Sequence, residues 1–324
     1  MGDLTRRDFI KQAGAGFAAT SVLGLAACSK ETGAPVTDVT LPTRTLGKTG
    51  LEIPQLTFGG GSQFLKNKDG DWEPILERAV QAGITVYDTC SSYKWGASLS
   101  SEERFGLILP PHRDKVIIST KFESRNPDEA MKEIEQSLTR LKTDYIDILM
   151  LHSIEKSEDI DAFGDTIYPM MVKLKEEGVA RYIGFSSMNS AEKSKALIER
   201  FDIDACILAI NATKYGSFVP VALPAAKAKN VGVFAMKVMR DVVGSEATAD
   251  ELMAYALGQD GIASACIGHF GLNTLEDNIR IVSERNSTAK AQVDFEEMES
   301  RLAHLAGPHA LCWAREDYYD GMMC

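Results

Sequence analysis

Lys115-Val-Ile-Ile-Ser-Thr-Lys121, then Asn126-Pro-Asp-Glu leading into Ala130–Leu141, then Tyr145-Ile-Asp-Ile-Leu-Met-Leu-His152, succeed one another in the chain. The outer two runs carry apolar and β-branched residues on successive positions, the pattern of strands covered on both faces. The middle segment opens as a helix: Asn126 is the cap, Pro127 sits in the first turn and acids lie beside it. Strand, helix and strand in this order predict parallel strands joined by a right-handed crossover.

The same alternation extends in both directions. Strand-like runs fall at Gln55–Phe58, Gly83–Asp88, Lys115–Lys121, Tyr145–His152, Ala180–Phe185, Ala205–Asn211, Val231–Met236 and Ile262–Ile267. Helical patterns lie between or after them at Trp72–Ala82, Ala130–Leu141, Tyr168–Glu177, Ser190–Arg200 and Asn273–Ser283. Eight such runs predict an α/β fold closed as a (β/α)8 TIM barrel, with an open doubly wound sheet as the alternative. No G-x-G-x-x-G follows an early strand, and Gly59-Gly60-Gly61 has neither the spacing nor a helix start after it, which disfavours a Rossmann unit. Arg44–Pro54, with Gly47-Lys48-Thr49-Gly50 as its turn, reads as a hairpin that plugs the barrel bottom. The domain reading is a signal segment over 1–27, a tether over 28–42, the barrel over 43–307 and a tail over 308–324.

The 324 residues are 44% hydrophobic and 25% charged, ordinary for a globular α/β chain. A formal charge of −11 without basic patches excludes nucleic acid as an expected partner. No run of about 20 apolar residues is present to span a membrane. Thr5-Arg6-Arg7-Asp8-Phe9-Ile10-Lys11 matches a twin-arginine export signal, Ala13–Ala27 is a short apolar stretch, and Leu25-Ala26-Ala27-Cys28 looks like a lipobox. Export to the bacterial periplasm or envelope is therefore expected, with membrane contact only through a lipid on Cys28. Cys206 and Cys266 read as small core residues, Cys90 as a pocket neighbour, and Cys312 and Cys324 as a possible pair. His309-x-x-Cys312 falls short of a metal site, and no metal is expected.

Barrel sites form at the carboxyl ends of the strands. Tyr87-Asp88-Thr89-Cys90-Ser91-Ser92-Tyr93 puts Asp88 and Tyr93 after the second run, while Lys121 ends the third and His152 the fourth. Singly these residues suit a turn cap, an aromatic surface, a snorkelling Lys and a core His. Together they form a proton-transfer set. A free Tyr has a pKa near 10. An ammonium within about 4 Å favours its phenolate by roughly 4 kcal/mol at an effective dielectric of 20, so Lys121 is expected to lower the Tyr93 pKa. Asp88 holds Lys121 charged, and His152, expected neutral, donates to a carbonyl oxygen. Tyr93 passes the proton as general acid or base. No side chain delivers hydride, so a nicotinamide cofactor is required.

These pieces give the chain a resemblance to the aldo-keto reductases from about Arg44 to Leu305. It rests on Arg-x-Leu-Gly-x-Thr-Gly-Leu-x-Ile-Pro at 44–54, the Tyr87–Tyr93 stretch, Ser-Glu-Glu-Arg-Phe-Gly at 101–106 and Ser-Thr-Lys at 119–121. Asp147–His152, Ile183-Gly-Phe-Ser-Ser187 and Leu275-Glu-Asp277-Asn278 complete it. The resemblance implies a catalytic tetrad of Asp88, Tyr93, Lys121 and His152, and NADP(H) extended across the barrel mouth. It further implies that Ser186 and Ser187 stand where Ser-Asn often holds the carboxamide. Asn211 is the nearest polar candidate where a Gln is replaced by Ile207. Gly268 and Thr274 occupy the adenosine-phosphate positions usually held by Lys and Arg, which leaves NAD(H) as an alternative. Lys237 is placed to contact the pyrophosphate or the ribose phosphate, and Asp277 and Asn278 belong to the acidic-Asn signature. Trp95 is expected to line the substrate pocket and Trp72 a helix core. The aromatic, acidic tail either folds over the mouth or packs beneath the barrel.

The expected function is an exported oxidoreductase that interconverts a carbonyl and an alcohol of an aldehyde, ketone or sugar. Cofactor loaded before export and recycled internally would reconcile the two features. The alternatives are a cofactor- or ligand-binding lipoprotein on a reductase-derived barrel, and an isomerase or epimerase that recycles tightly bound cofactor.

Overall fold

The computed structural model describes residues 40–244, 246–285 and 293–320. The signal segment, Cys28 and Cys324 lie outside them. A two-stranded antiparallel hairpin comes first, β1 (Thr43–Thr45) with β2 (Glu52–Pro54). Eight parallel strands then close a barrel: β3 (Leu56–Gly59), β4 (Val86–Asp88), β5 (Ile117–Phe122), β6 (Ile146–Leu151), β7 (Ala180–Ser187), β8 (Ala205–Ala209), β9 (Gly232–Met236) and β10 (Ile262–Gly268). Each strand pairs with its neighbour in sequence, and β10 closes on β3. Seven crossover helices join them, α1 (Trp72–Gln81), α2 (Ser101–Ile108), α3 (Pro127–Leu141), α4 (Tyr168–Glu176), α5 (Ala191–Arg200), α6 (Phe218–Ala228) and α7 (Ala249–Gly258), and α8 (Leu272–Ser283) follows the last strand.

Local chemistry accounts for the helix starts. The Asn126 side chain accepts from the amides of Asp128 and Glu129, and Pro127 takes the first position, where no donor is needed. Ser100 with Glu103 and Thr248 with Glu251 form reciprocal capping boxes at α2 and α7. Trp72 is buried at the start of α1. The run from Gly83 becomes strand only at Val86, because Gly83 takes a left-handed φ of 78° to leave α1. One helical turn, Ser62–Leu65, follows Gly61 directly, where the sequence offered no start signal.

The strands read apolar on both faces because they are buried on both. Inside the barrel, Val86, Ile148, Met150, Ala205, Ile207, Phe234 and Ala263 form one cluster with Leu46 and Ile53 of the hairpin. Outward-facing Leu149, Leu151, Ile183, Phe185, Cys206, Leu208 and Val233 pack under the helices. Lys48 N–H donates to Asn230 O at 2.6 Å, just before β9 begins, so the hairpin turn sits at the amino ends of the strands. The hairpin stoppers the bottom. Cys206 is fully buried, as expected, but Cys266 is half-buried and faces the mouth, with Sγ 3.7 Å from Asp88 Oδ2. Its place near the carboxyl end of β10 turns it toward the cavity.

Leu46→Ala is expected to cost about 2–5 kcal/mol, the range for emptying a fully buried Leu site. Urea denaturation checks it, and a loss under about 1 kcal/mol would mean that the hairpin does not plug the barrel.

Candidate active site

Three strand ends and one loop bring Asp88, Tyr93, Lys121 and His152 into one mouth. Asp88 is the last residue of β4, Lys121 lies one residue from the end of β5, and His152 follows β6 directly. Tyr93 stands in the β4–α2 loop, fixed by its N–H to Cys90 O at 3.2 Å and by the Ser101 N–H donated to its carbonyl at 2.8 Å. All four are at most 5% exposed.

The Lys121 ammonium donates to Asp88 Oδ2 at 2.6 Å, to Asp88 Oδ1 at 2.8 Å and to Thr89 O at 2.7 Å. Those bonds use all three of its protons. Burial disfavours the charge, but Asp88 outweighs it and holds the Lys121 pKa above its usual value. The ammonium therefore lies against the Tyr93 ring, 5.4 Å from its centroid, as a charge with no proton left to donate to the phenol.

The expectation for Tyr93 is overturned. Its pKa is pushed well above 10, first by burial and then by the negative charge of Asp320 on the hydroxyl. Tyr93 OH donates to Asp320 Oδ2 at 3.1 Å and lies 3.4 Å from His152 Nε2. An ammonium spent on Asp88 does not offset an anion in contact with the phenol.

His152 also departs from the neutral form expected. Its Nδ1 is 2.9 Å from Glu123 Oε1 and its Nε2 is 3.0 Å from Asp320 Oδ2. Ionised carboxylates only accept, so both nitrogens must donate and the ring is an imidazolium. Burial opposes that charge, but Cys90, Asp320 and Glu123 raise the pKa well above 6.5. The Glu123 carboxyl is also resisted by burial, yet hydrogen bonds from His152, Ser92 and Tyr319 pull it down to about 2. Cys90 Sγ, Glu123 and His152 all lie within 4.8 Å of one another, but a doubly protonated ring has no lone pair for a metal.

A cavity of about 510 Å³ runs from Tyr93 and Lys121 along the ends of β9, β10 and β3. Of the positions implied for cofactor contact, Lys237, Gly268, Asp277 and Asn278 line it, as does Thr274. Ser186, Ser187 and Asn211 do not. Ser186 Oγ accepts the Ser153 N–H at 2.9 Å, Ser187 Oγ donates to Ile154 O at 3.0 Å, and Asn211 serves the turn through Thr213 and Tyr215. Backbone of the adjoining loops claims all three. Trp95 is also absent from the lining; it packs beside Tyr93 and on Tyr319, with ring centroids 5.7 Å apart. Arg240, unnoticed in the sequence, adds a second cation to the same wall as Lys237 and donates to Ser62 Oγ at 2.6 Å. Its only local signal is a place three residues past Lys237. Two cations beside Gly59, Gly61 and Gly268, where backbone can come close, suit a phosphate-bearing ligand such as a nicotinamide dinucleotide.

The tail covers the mouth. Leu311 and Trp313 are buried in the core, Tyr215 OH donates to Ala314 O at 3.3 Å, and Cys312 is disulfide-bonded. The pairing expected with Cys324 lies outside the described residues. Asp320 ends in the site, where Lys237 Nζ donates to its Oδ1 at 2.6 Å.

The sequence profile of the Aldo/keto reductase family matches residues 55–251, more than half of the chain. The L-galactose dehydrogenase of Arabidopsis thaliana is 27% identical over 304 residues, covering 80% of this chain and 93% of that one. The D-threo-aldose 1-dehydrogenase of a Pseudomonas species is 30% identical over 247 residues, covering 65% and 73%. An aldo-keto reductase from Bacillus halodurans in its holo form has the same fold, with a TM-score of 0.65 at 20% identity over 82% of this chain and 97% of that one.

Both shifts of the Glu123–His152 pair favour the ions. The Glu123 contribution to stability is complete above its unfolded pKa of 4.5 and fades as pH falls toward about 2. The His152 contribution is complete below 6.5 and fades as pH rises through the raised folded value. The Tm difference between the protein and Glu123→Gln should therefore peak between about pH 4.5 and 6.5. A difference that stays flat with pH would remove the ion pair.

Proposed function

The chain belongs to the aldo/keto reductase family and is an oxidoreductase, and from that premise we propose that it interconverts a carbonyl and an alcohol with Tyr93 as general acid and base. The observation that carries this is the convergence of Tyr93 OH and His152 Nε2 on a single oxygen, Asp320 Oδ2, at 3.1 and 3.0 Å. That oxygen stands in for the reacting oxygen of a substrate.

With a carbonyl oxygen there, the His152 N–H fixes its direction and withdraws electron density from the carbon. Tyr93 gives its proton as the oxygen gains charge, and takes one back in the oxidising direction. Asp88 keeps Lys121 protonated beneath the ring, so a tyrosinate formed in turnover sits beside a fixed positive charge. The nicotinamide, when bound, supplies or accepts the hydride. Arg240 would hold its phosphates, with Gly268 admitting backbone approach and Asp277 and Asn278 flanking the far end. We take NADP(H) as the cofactor, since Arg240 offers a cation where Gly268 and Thr274 do not, with NAD(H) as the alternative. The relatives named for L-galactose and for D-threo-aldoses make a sugar the favoured substrate class.

Tyr93→Phe should lower kcat by about a hundred- to ten-thousand-fold while leaving nicotinamide binding unchanged. Absorbance of the reduced nicotinamide against a panel of sugars and aldehydes measures the first, and fluorescence titration the second. A variant that turns over as well as the parent would sink the assignment.

Export by the twin-arginine route and a lipid on Cys28 complete the reading, resting on Thr5–Lys11 and Leu25–Cys28. Mass spectrometry of envelope-purified protein should find a diacylglyceryl group on an amino-terminal Cys28. An unprocessed Met1 in the soluble cytoplasmic fraction would reverse that assignment.

A further inference from the structure

Asp320 fills the place where a substrate oxygen belongs. One oxygen of its carboxylate takes hydrogen bonds from Tyr93 OH at 3.1 Å and His152 Nε2 at 3.0 Å. The other takes the Lys237 ammonium at 2.6 Å, with Tyr318 OH at 3.4 Å. Its side chain is 7% exposed and that of Lys237 is 9% exposed, so this is a desolvated ion pair. Tyr319 flanks it, packing on Trp95 and edge-on to His152.

We propose that the chain's own tail is a built-in competitive inhibitor: Asp320 takes the place of the reacting oxygen, its carboxylate held by Tyr93, His152 and Lys237, and turnover requires the tail to be displaced. The proposal rests on the reading of Tyr93 and His152 given above. Three donors, two of them cationic, are arranged around two oxygens on one carbon. Neutral hydroxyls would satisfy the geometry but leave the buried Lys237 charge unpaired, whereas a carboxylate satisfies both. The seated tail blocks turnover in two ways. It occupies the reacting position, and it takes the Tyr93 proton in a hydrogen bond to an anion, so the phenol cannot serve as a base. Tethering gives the tail a high effective concentration, which a free substrate must overcome. If the tail is seated nine-tenths of the time, apparent substrate affinity falls about tenfold.

The test compares the full chain with Asp320→Ala and the isosteric Asp320→Asn, which preserves tail packing without the charge. Both should show KM about tenfold lower with kcat within about twofold. An unchanged or raised KM overturns the proposal. His152 ring resonances provide a readout without turnover: they should differ between the parent and Asp320→Ala, and resonances that coincide would mean that the tail is not seated. Should none of the proteins turn over any carbonyl, the proposed function fails, and the His152 resonances still decide whether Asp320 occupies the site.

Discussion

The buried ion pair between Lys121 and Asp88 is the interaction on which the mouth depends. Two charges at the ends of β4 and β5 are withdrawn from water, at a cost tolerated only when every proton and lone pair finds a partner. Here they do. Asp88 accepts from Lys121 on both oxygens and from Ser119 Oγ, and the third ammonium proton goes to Thr89 O. Thr89 opens the loop that carries Tyr93, so the bond that completes Lys121 also anchors the phenol. Because the ammonium is fully committed, it acts on Tyr93 through its field alone. The acidity of the phenol is then set by its burial and by whatever touches its hydroxyl, here the Asp320 anion.

The residues legible in the sequence are those whose position follows from strand periodicity. Asp88, Lys121 and His152 each close or nearly close an apolar run, and strand ends of a parallel barrel all face one way. Ser186 and Ser187 also sit at a strand end, yet their hydroxyls serve Ser153 and Ile154 in the preceding loop. Which neighbour claims a strand-end hydroxyl depends on the shape of another loop, and no local pattern encodes that. Glu123 stands two residues past Lys121, but its partner is 29 residues away on the next strand end. Asp320 is 168 residues from His152, and only the acidic, aromatic character of the tail hinted at it.

The neutral histidine expected from the sequence is the form of an imidazole with at most one carboxylate neighbour. Two carboxylates, delivered by β5 and by the tail, change its state without any change near His152 in the chain. The Tyr93 expectation failed because burial first, and the Asp320 anion second, outweigh a cation whose protons are already engaged.

Net charge conceals this balance. A chain of −11 overall places Lys121, His152, Lys237 and Arg240 around one opening. Lys121 is matched to Asp88, His152 to Glu123 and Lys237 to Asp320. The first two matches come from the barrel itself. The third comes from the tail. Withdrawing it leaves a pocket with local positive charge inside an acidic protein, and that pocket attracts anions while the outer surface repels them. The charge of the groove thus depends on where Asp320 sits, not on how many acids the chain contains.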